Sequence, residues 1–208
     1  MSEAASWSER HAAAAMAWDT TPNQFVVAAC RKLRPGRALD LGAGEGANAT
    51  WLAGRGWKVT AIDSNTVVVG RIQSHSVLLN HPVDAIVGDA VTYRPRPAAF
   101  DLILLSYLQL PEHQLRLAFQ HVVPGLAPGG RILIVAHDAS NLDQGWGGPK
   151  DPNLLTRPEV VAGILTVLGL DVQRAEVVRR EVTTDTGFHV ALDHVVEAVA
   201  PGTPETGA

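Results

Sequence analysis

The chain has 208 residues, which suits one domain with extensions better than two. It is 46% hydrophobic and 18% charged, so it can bury a core, and 17 basic against 21 acidic side chains leave a formal charge of −4 with no general pull toward a phosphate backbone. Cys30 is the only cysteine, which excludes an intrachain disulfide and a multi-cysteine metal site.

Ser6 with Glu9 makes a capping box ahead of the alanine-rich run 12–17, and Thr21, Pro22 and Gln24 repeat the signature for a second helix ending near Leu33. From there the pattern alternates. Residues 37–41 form an apolar strand ending in Gly42-Ala43-Gly44-Glu45-Gly46; 47–54 is helical, 57–63 a strand, and Ser64 caps a helix to about Asn80. Strands follow at 85–87 and 100–105, a helix at 111–123, a turn at 124–130 and a strand at 131–136. Thr156, with Pro158 and Glu159, opens a helix to about Leu168, and the strand-like runs 171–182 and 188–198 precede a Pro/Gly tail.

Continuously apolar strands alternating with helices imply a parallel sheet covered on both faces. The segment 183–187 is too short for a crossover, so the last two strands pair as an antiparallel hairpin. The fold expected is therefore α/β, a doubly wound, mostly parallel sheet closed by one antiparallel strand. The division expected is an N-terminal helical lid at 1–34, a Rossmann-like domain at 35–200 and a flexible tail at 201–208. The N-terminus shows no charged region followed by an apolar run, and no stretch approaches the ~18 apolar residues of a membrane span. A cytoplasmic protein is expected, with neither membrane nor nucleic acid as partner, as a monomer or weak homodimer.

In open α/β sheets ligands lie beyond the carboxyl ends of the strands, which is where Gly42, Gly44 and Gly46 fall. The spacing Gly42-x-Gly44-x-x-Ala47, with Asp63 about twenty residues on, also matches a dinucleotide fingerprint. Charge separates the two readings. Asp40 precedes the turn and Glu45 lies within it, and two carboxylates repel a pyrophosphate but attract a sulfonium bearing an α-ammonium group. S-adenosylmethionine is such a ligand, with S-adenosylhomocysteine as its product. Asp63 is placed to accept from both ribose hydroxyls; Asp89 is placed to accept from the adenine amine, with Ala90 donating its backbone N–H, against the competing reading of Asp89 as an Asx turn.

The runs Ala38-Leu39-Asp40-Leu41-Gly42-Ala43-Gly44-Glu45-Gly46, Val59-Thr60-Ala61-Ile62-Asp63 and Gly88-Asp89-Ala90 resemble a class I S-adenosylmethionine-dependent methyltransferase over roughly residues 20–199. Asn48-Ala49 and Trp51-Leu52 are similar to the tellurite-resistance and thiol or thiopurine branch of small-molecule enzymes. The resemblance implies a seven-stranded sheet of order 3-2-1-4-5-7-6 and an N-terminal lid whose Trp18, Asn23 and Phe25 face the cofactor. With it, the expected cofactor residues are Asp40, Gly42, Ala43, Gly44, Asp63, Ser64, Asp89, Ala90, Ser106, Trp18 and Phe25.

On the acceptor side, Ser106-Tyr107-Leu108-Gln109 departs from the Pro-Pro run of enzymes that methylate planar amides or exocyclic amines. Tyr107 and His137 are the candidate catalytic residues, His137 as base or orienting group. The loop 139–155 is long enough to be functional. Gln109, His137, Trp146 and His11 are the expected acceptor contacts, Trp146 as pocket wall or loop anchor. The remaining histidines lack metal-ligand spacing, so no metal is expected. A small methyl acceptor follows: a thiol, hydroxyl, amine or chalcogen oxyanion. The competing readings are a nicotinamide-dependent oxidoreductase and a non-catalytic cofactor-binding module.

Overall fold

The computed structural model describes residues 21–185 and 187–202. In chain order the elements are α1 (Gln24–Cys30), β1 (Arg37–Leu41), α2 (Ala47–Gly54), β2 (Lys58–Asp63), α3 (Thr66–Leu78), β3 (Val83–Val87), β4 (Phe100–Ser106), α4 (Glu112–Val122), β5 (Leu126–His137), the short α5 (Asn141–Gln144), α6 (Pro158–Val167), β6 (Asp171–Thr184) and β7 (Gly187–Val199).

The seven strands form one sheet in the order β3-β2-β1-β4-β5-β7-β6. Pairing is parallel from β3 through β5, and β7 runs antiparallel to both its neighbours. This is the topology expected from the continuous apolar strands and the tight hairpin. Consecutive residues Ala38 and Leu39 are both fully buried, so each face of β1 is covered. Successive strand residues feed two apolar layers. Ala38, Leu102 and Leu104 join Leu52, Val68 and Ile72 on one side; Leu39, Ile103 and Leu105 join Phe119, Val161 and Leu165 on the other. Each such side chain contributes about 1.5–3 kcal/mol on burial.

α1 belongs to the first layer, through Val26 and Cys30. Burial, with Glu197 adding to it, pushes the Cys30 thiol up to about 12, which makes it an inert packing group. Trp18 and His11, with the rest of the expected lid before residue 21, lie outside the described residues, as does the tail beyond 202. Among the described residues, no helix is long and apolar enough to cross a membrane.

Several boundaries differ from the sequence expectation. The cap of α1 is Asn23, not Thr21, and the helix ends at Cys30 rather than Leu33. Asn65, not Ser64, caps α3, accepting from the N–H groups of Val67 and Val68. Asn and Ser cap equally well in general, so the choice falls to the residue whose backbone is still extended one step before the first helical turn. Arg157, without a side-chain bond, starts α6, while Thr156 is taken up in a parallel bridge to Asp138. The expected turn 124–130 is largely strand: β5 begins at Leu126, pairs with Phe100, and shifts register before Leu102.

The α3 cap gives a direct check. Asn65→Ala lowers unfolding free energy by about 0.5–2 kcal/mol, whereas Ser64→Ala changes it by less than ~0.5 kcal/mol; urea unfolding of both variants measures the difference.

Candidate functional site

The carboxyl ends of β1, β2, β4 and β5 meet at one edge of the sheet. The turn after β1 is fastened to β2, because the N–H groups of Gly42 and Ala43 both donate to the Ile62 carbonyl, at 2.8 and 2.9 Å. Gly42 (φ +76°) and Gly46 (φ +79°) leave no room for a side chain: a Cβ would meet Leu108 at 2.8 Å and Ile72 at 2.7 Å. Gly44 is different. Its φ is +53°, and no atom lies within 4 Å of where its Cβ would be, so the turn opens there onto unfilled space.

Two carboxylates lie close to the turn. Asp40 is 1% exposed; among the described residues no side chain pairs with its carboxylate, and the Ala49 N–H is the one donor that acts on it. Burial and the neighbouring Asp63 charge push its carboxyl up to about 7. Asp63, at the end of β2, accepts from Gly44 N–H and Asn65 N–H, each at 2.9 Å, and so holds the glycine turn in shape. Glu45, expected with Asp40 as the second carboxylate at the turn, pairs through Oε1 with Arg71 at 3.1 Å. Asp89 is exposed and accepts from Val91 N–H at 2.7 Å, the Asx-turn geometry. Ala90 packs partly buried beneath it, and Ser64 is exposed beside Asp63. Phe25 packs against the first apolar layer.

The second cluster stands at the ends of β4 and β5. Ser106 closes β4 in register with Val135 of β5. Tyr107 follows with φ +55°, a costly conformation for an aromatic residue, held by its N–H on the Val135 carbonyl and its hydroxyl on Asp193 Oδ2 at 2.6 Å. Arg180 of β6 donates Nε to the same oxygen at 2.7 Å. His137 Nδ1 lies 2.9 Å from Asp193 Oδ1, although its N–H is not squarely aligned. The Tyr107 and His137 rings are 4.9 Å apart, and the Arg180 guanidinium lies 5.6 Å from the Tyr107 ring. Burial pushes the Asp193 carboxyl up, but His137, Arg180 and Tyr107 together hold it below its ordinary value. Burial and that same carboxylate push the Tyr107 hydroxyl up, so it acts as a donor and not as an anion.

Sequence reasoning missed Asp193 and Arg180. Their signal is faint: Asp193 is a lone acid inside the apolar run 190–196, the same signature that picks out Asp40 inside 38–41.

The loop after β5 is tied down rather than open. Asn141 is buried and accepts from Leu192 N–H at 2.7 Å while donating to the Gly147 carbonyl. Gly148 lies against the His137 ring, where a Cβ would come within 2.9 Å. Trp146 stacks on His189, ring centroids 4.6 Å apart, which makes it the loop anchor of the two expected roles. Asp138 is structural. Burial pushes its carboxyl up, but His194, 3.7 Å away, and bonds from the Ser140 N–H and hydroxyl bring it down to about 2. Both polar atoms of the Gln109 side chain are buried without partners.

A methyltransferase-domain family matches residues 38–130. The chain is 35% identical over 108 residues, 49% of its length, to a protein-L-isoaspartate O-methyltransferase of Methylorubrum populi, covering 51% of that protein. It thus spans about half the length of the curated relatives it matches. Among solved structures, TehB from Haemophilus influenzae superposes with a TM-score of 0.72 at 18% identity, over 86% of this chain and 62% of TehB. A SAM-dependent methyltransferase from Methanosarcina mazei gives 0.68 at 16% identity, over 88% of this chain and all of that one.

The chain has the class I methyltransferase fold. A methyltransferase domain of this class implies S-adenosylmethionine, and the cofactor-side residues fit it. A buried carboxylate that no described side chain pairs with, beside a turn open at Gly44, suits a ligand that brings a positive charge.

Asp40 gives a signed test. Its folded value near 7 lies above the ordinary 3.8, so the stability tied to it is present below about pH 4 and lost as pH rises through about 7. Asp40→Asn therefore melts higher than the parent protein at pH 8, by about 2–4 °C per kcal/mol relieved, and the gap narrows at pH 5; calorimetric scans at both pH values read it.

Proposed function

We propose that this chain transfers a methyl group from S-adenosylmethionine to a small-molecule acceptor. The observation that carries the reading is Asp40, a buried carboxylate that no described side chain pairs with, close to a glycine turn that is open at Gly44. When bound, S-adenosylmethionine supplies a methyl already activated on a sulfonium. The chain's task is then chiefly alignment, which is worth several kcal/mol of barrier.

In this reading Asp40, Gly42, Ala43 and Gly44 take the methionine end, Asp63 and Ser64 the ribose, and Asp89 with Ala90 the adenine. Ser106 and Phe25 border the cofactor; Gln109, His137 and Tyr107 face the acceptor. Sheet order favours this over a nicotinamide enzyme, whose sheet is parallel in the order 3-2-1-4-5-6, because here an antiparallel β7 is inserted between β5 and β6. A small acceptor is supported by the confinement of the far side. His137 is only 13% exposed, with Gly148 laid against its ring.

Calorimetry with S-adenosylhomocysteine and with NAD, followed by radiolabelled methyl transfer to thiols, phenols, amines, tellurite and an isoaspartyl peptide, tests the reading. Binding of S-adenosylhomocysteine and transfer to a small acceptor is the expected result. NAD binding without S-adenosylhomocysteine binding, or transfer to the peptide alone, overturns it. The affinity should also carry a proton linkage. A cation beside Asp40 favours its ionised form, so binding at pH 7 releases protons, and affinity at pH 6 is about tenfold weaker than at pH 8.

A further inference from the structure

We infer that His137 and Asp193 form a proton-accepting dyad, and that the acceptor is therefore a neutral hydroxyl or thiol rather than an amine or an oxyanion. The inference rests on the methyltransferase reading above and narrows its substrate. Asp193 is fully buried and acceptor-only when ionised, so a histidine nitrogen 2.9 Å from its Oδ1 must carry the proton. With the proton fixed on Nδ1, Nε2 presents its lone pair. Among the described residues Nε2 makes no hydrogen bond, and Nδ1 is buried 2.9 Å from Asp193 Oδ1, close enough to donate once the ring turns into line. Asp193 is itself held by Tyr107 and Arg180 on its other oxygen, and Tyr107 and Gly148 flank the imidazole. Asp193 is thus a positioning residue, and His137 the group that meets the acceptor.

Charge selects among acceptors. The Asp193 carboxylate of the Arg180–Asp193 pair is buried while the Arg180 side chain is 25% exposed, so the charge of this cluster that reaches the surface is positive. An ammonium group is repelled there. An oxyanion needs no base and leaves the dyad without a task. A hydroxyl or thiol uses it fully: the X–H proton passes to Nε2, the freed lone pair of X forms the X–CH3 bond, the carbon–sulfur pair returns to sulfur to leave a neutral thioether, and the imidazolium then gives its proton to solvent.

Two measurements test this. In nitrogen-15 NMR of the full chain with S-adenosylhomocysteine, His137 is expected as the Nδ1–H tautomer, and in Asp193→Asn as Nε2–H; an Nε2–H parent protein overturns the dyad. The second uses substituted phenols and thiophenols chosen to be ionised or un-ionised at the assay pH. His137→Gln should lose about 10²–10⁴-fold in kcat on the un-ionised members, with KM little changed, and far less on the ionised ones. An equal loss on both sets, or no loss, assigns His137 a purely structural role and overturns the proposal, as does the absence of transfer to any phenol or thiol by a protein that binds S-adenosylhomocysteine. Failure to bind S-adenosylhomocysteine sinks the methyltransferase reading instead, and the tautomer still decides the dyad.

Discussion

Asp40 sits on the centre strand of a parallel sheet, in register with Ala61 on one side and Leu104 on the other. Both strand neighbours are apolar and both faces are roofed by helices, so its carboxylate has no route to water. Dehydrating an ionised carboxylate costs several kcal/mol unless something supplies charge or donors. Among the described residues only the Ala49 N–H is offered to it, and burial with the neighbouring Asp63 charge pushes the carboxyl up to about 7. The glycine turn beyond it follows from the same constraint. The side chains that three ordinary residues would place there are absent, and at Gly44 nothing else fills the space.

Asp193 is buried as deeply and treated oppositely. Three side chains converge on it, and its carboxyl is held down where that of Asp40 is pushed up. Environments that drive two like groups apart mark different tasks. An unpartnered acid waits for a cation, whereas a fully partnered one fixes the group beside it. The antiparallel β7 is what makes the second arrangement possible, since its pairing sets Asp193 directly opposite His137. The same strand that distinguishes this sheet from a dinucleotide-binding one therefore completes the acceptor side.

Much of this was legible in the sequence. Apolar runs of strand length, the five-residue link at 183–187 and the glycine turn sufficed for topology and for the location of the site. Capping was misread at α1 and α3 because Thr21 and Asn23, and likewise Ser64 and Asn65, are all competent caps, and backbone geometry two residues later decides between them. Glu45 was read as part of the ligand's surroundings because its partner, Arg71, is 26 residues away on α3. Asp193 and Arg180 were missed for a related reason. Each is unremarkable in its own strand, and only the pairing of β5, β7 and β6 brings them to Tyr107 and His137.

The two halves of the site also differ in what fixes them. Most of the residues proposed for the cofactor lie on β1, β2 and β3 and their turns, within the stretch that the methyltransferase-domain family matches. That match stops at residue 130, before His137, the loop after it and Asp193. The loop is fastened to β7 in three places: Asp138 N–H to the Leu192 carbonyl, Leu192 N–H to Asn141 Oδ1, and Trp146 N–H to the Val190 carbonyl. One strand thus holds both the carboxylate that orients His137 and the loop that covers it. A substitution on β7 that shifts either shifts the other, whereas the glycine turn, tied to β2 through Ile62, is untouched. On the proposed reading, acceptor choice can therefore change in such a chain without disturbing the turn proposed to meet the methyl donor, because the two are anchored to different strands.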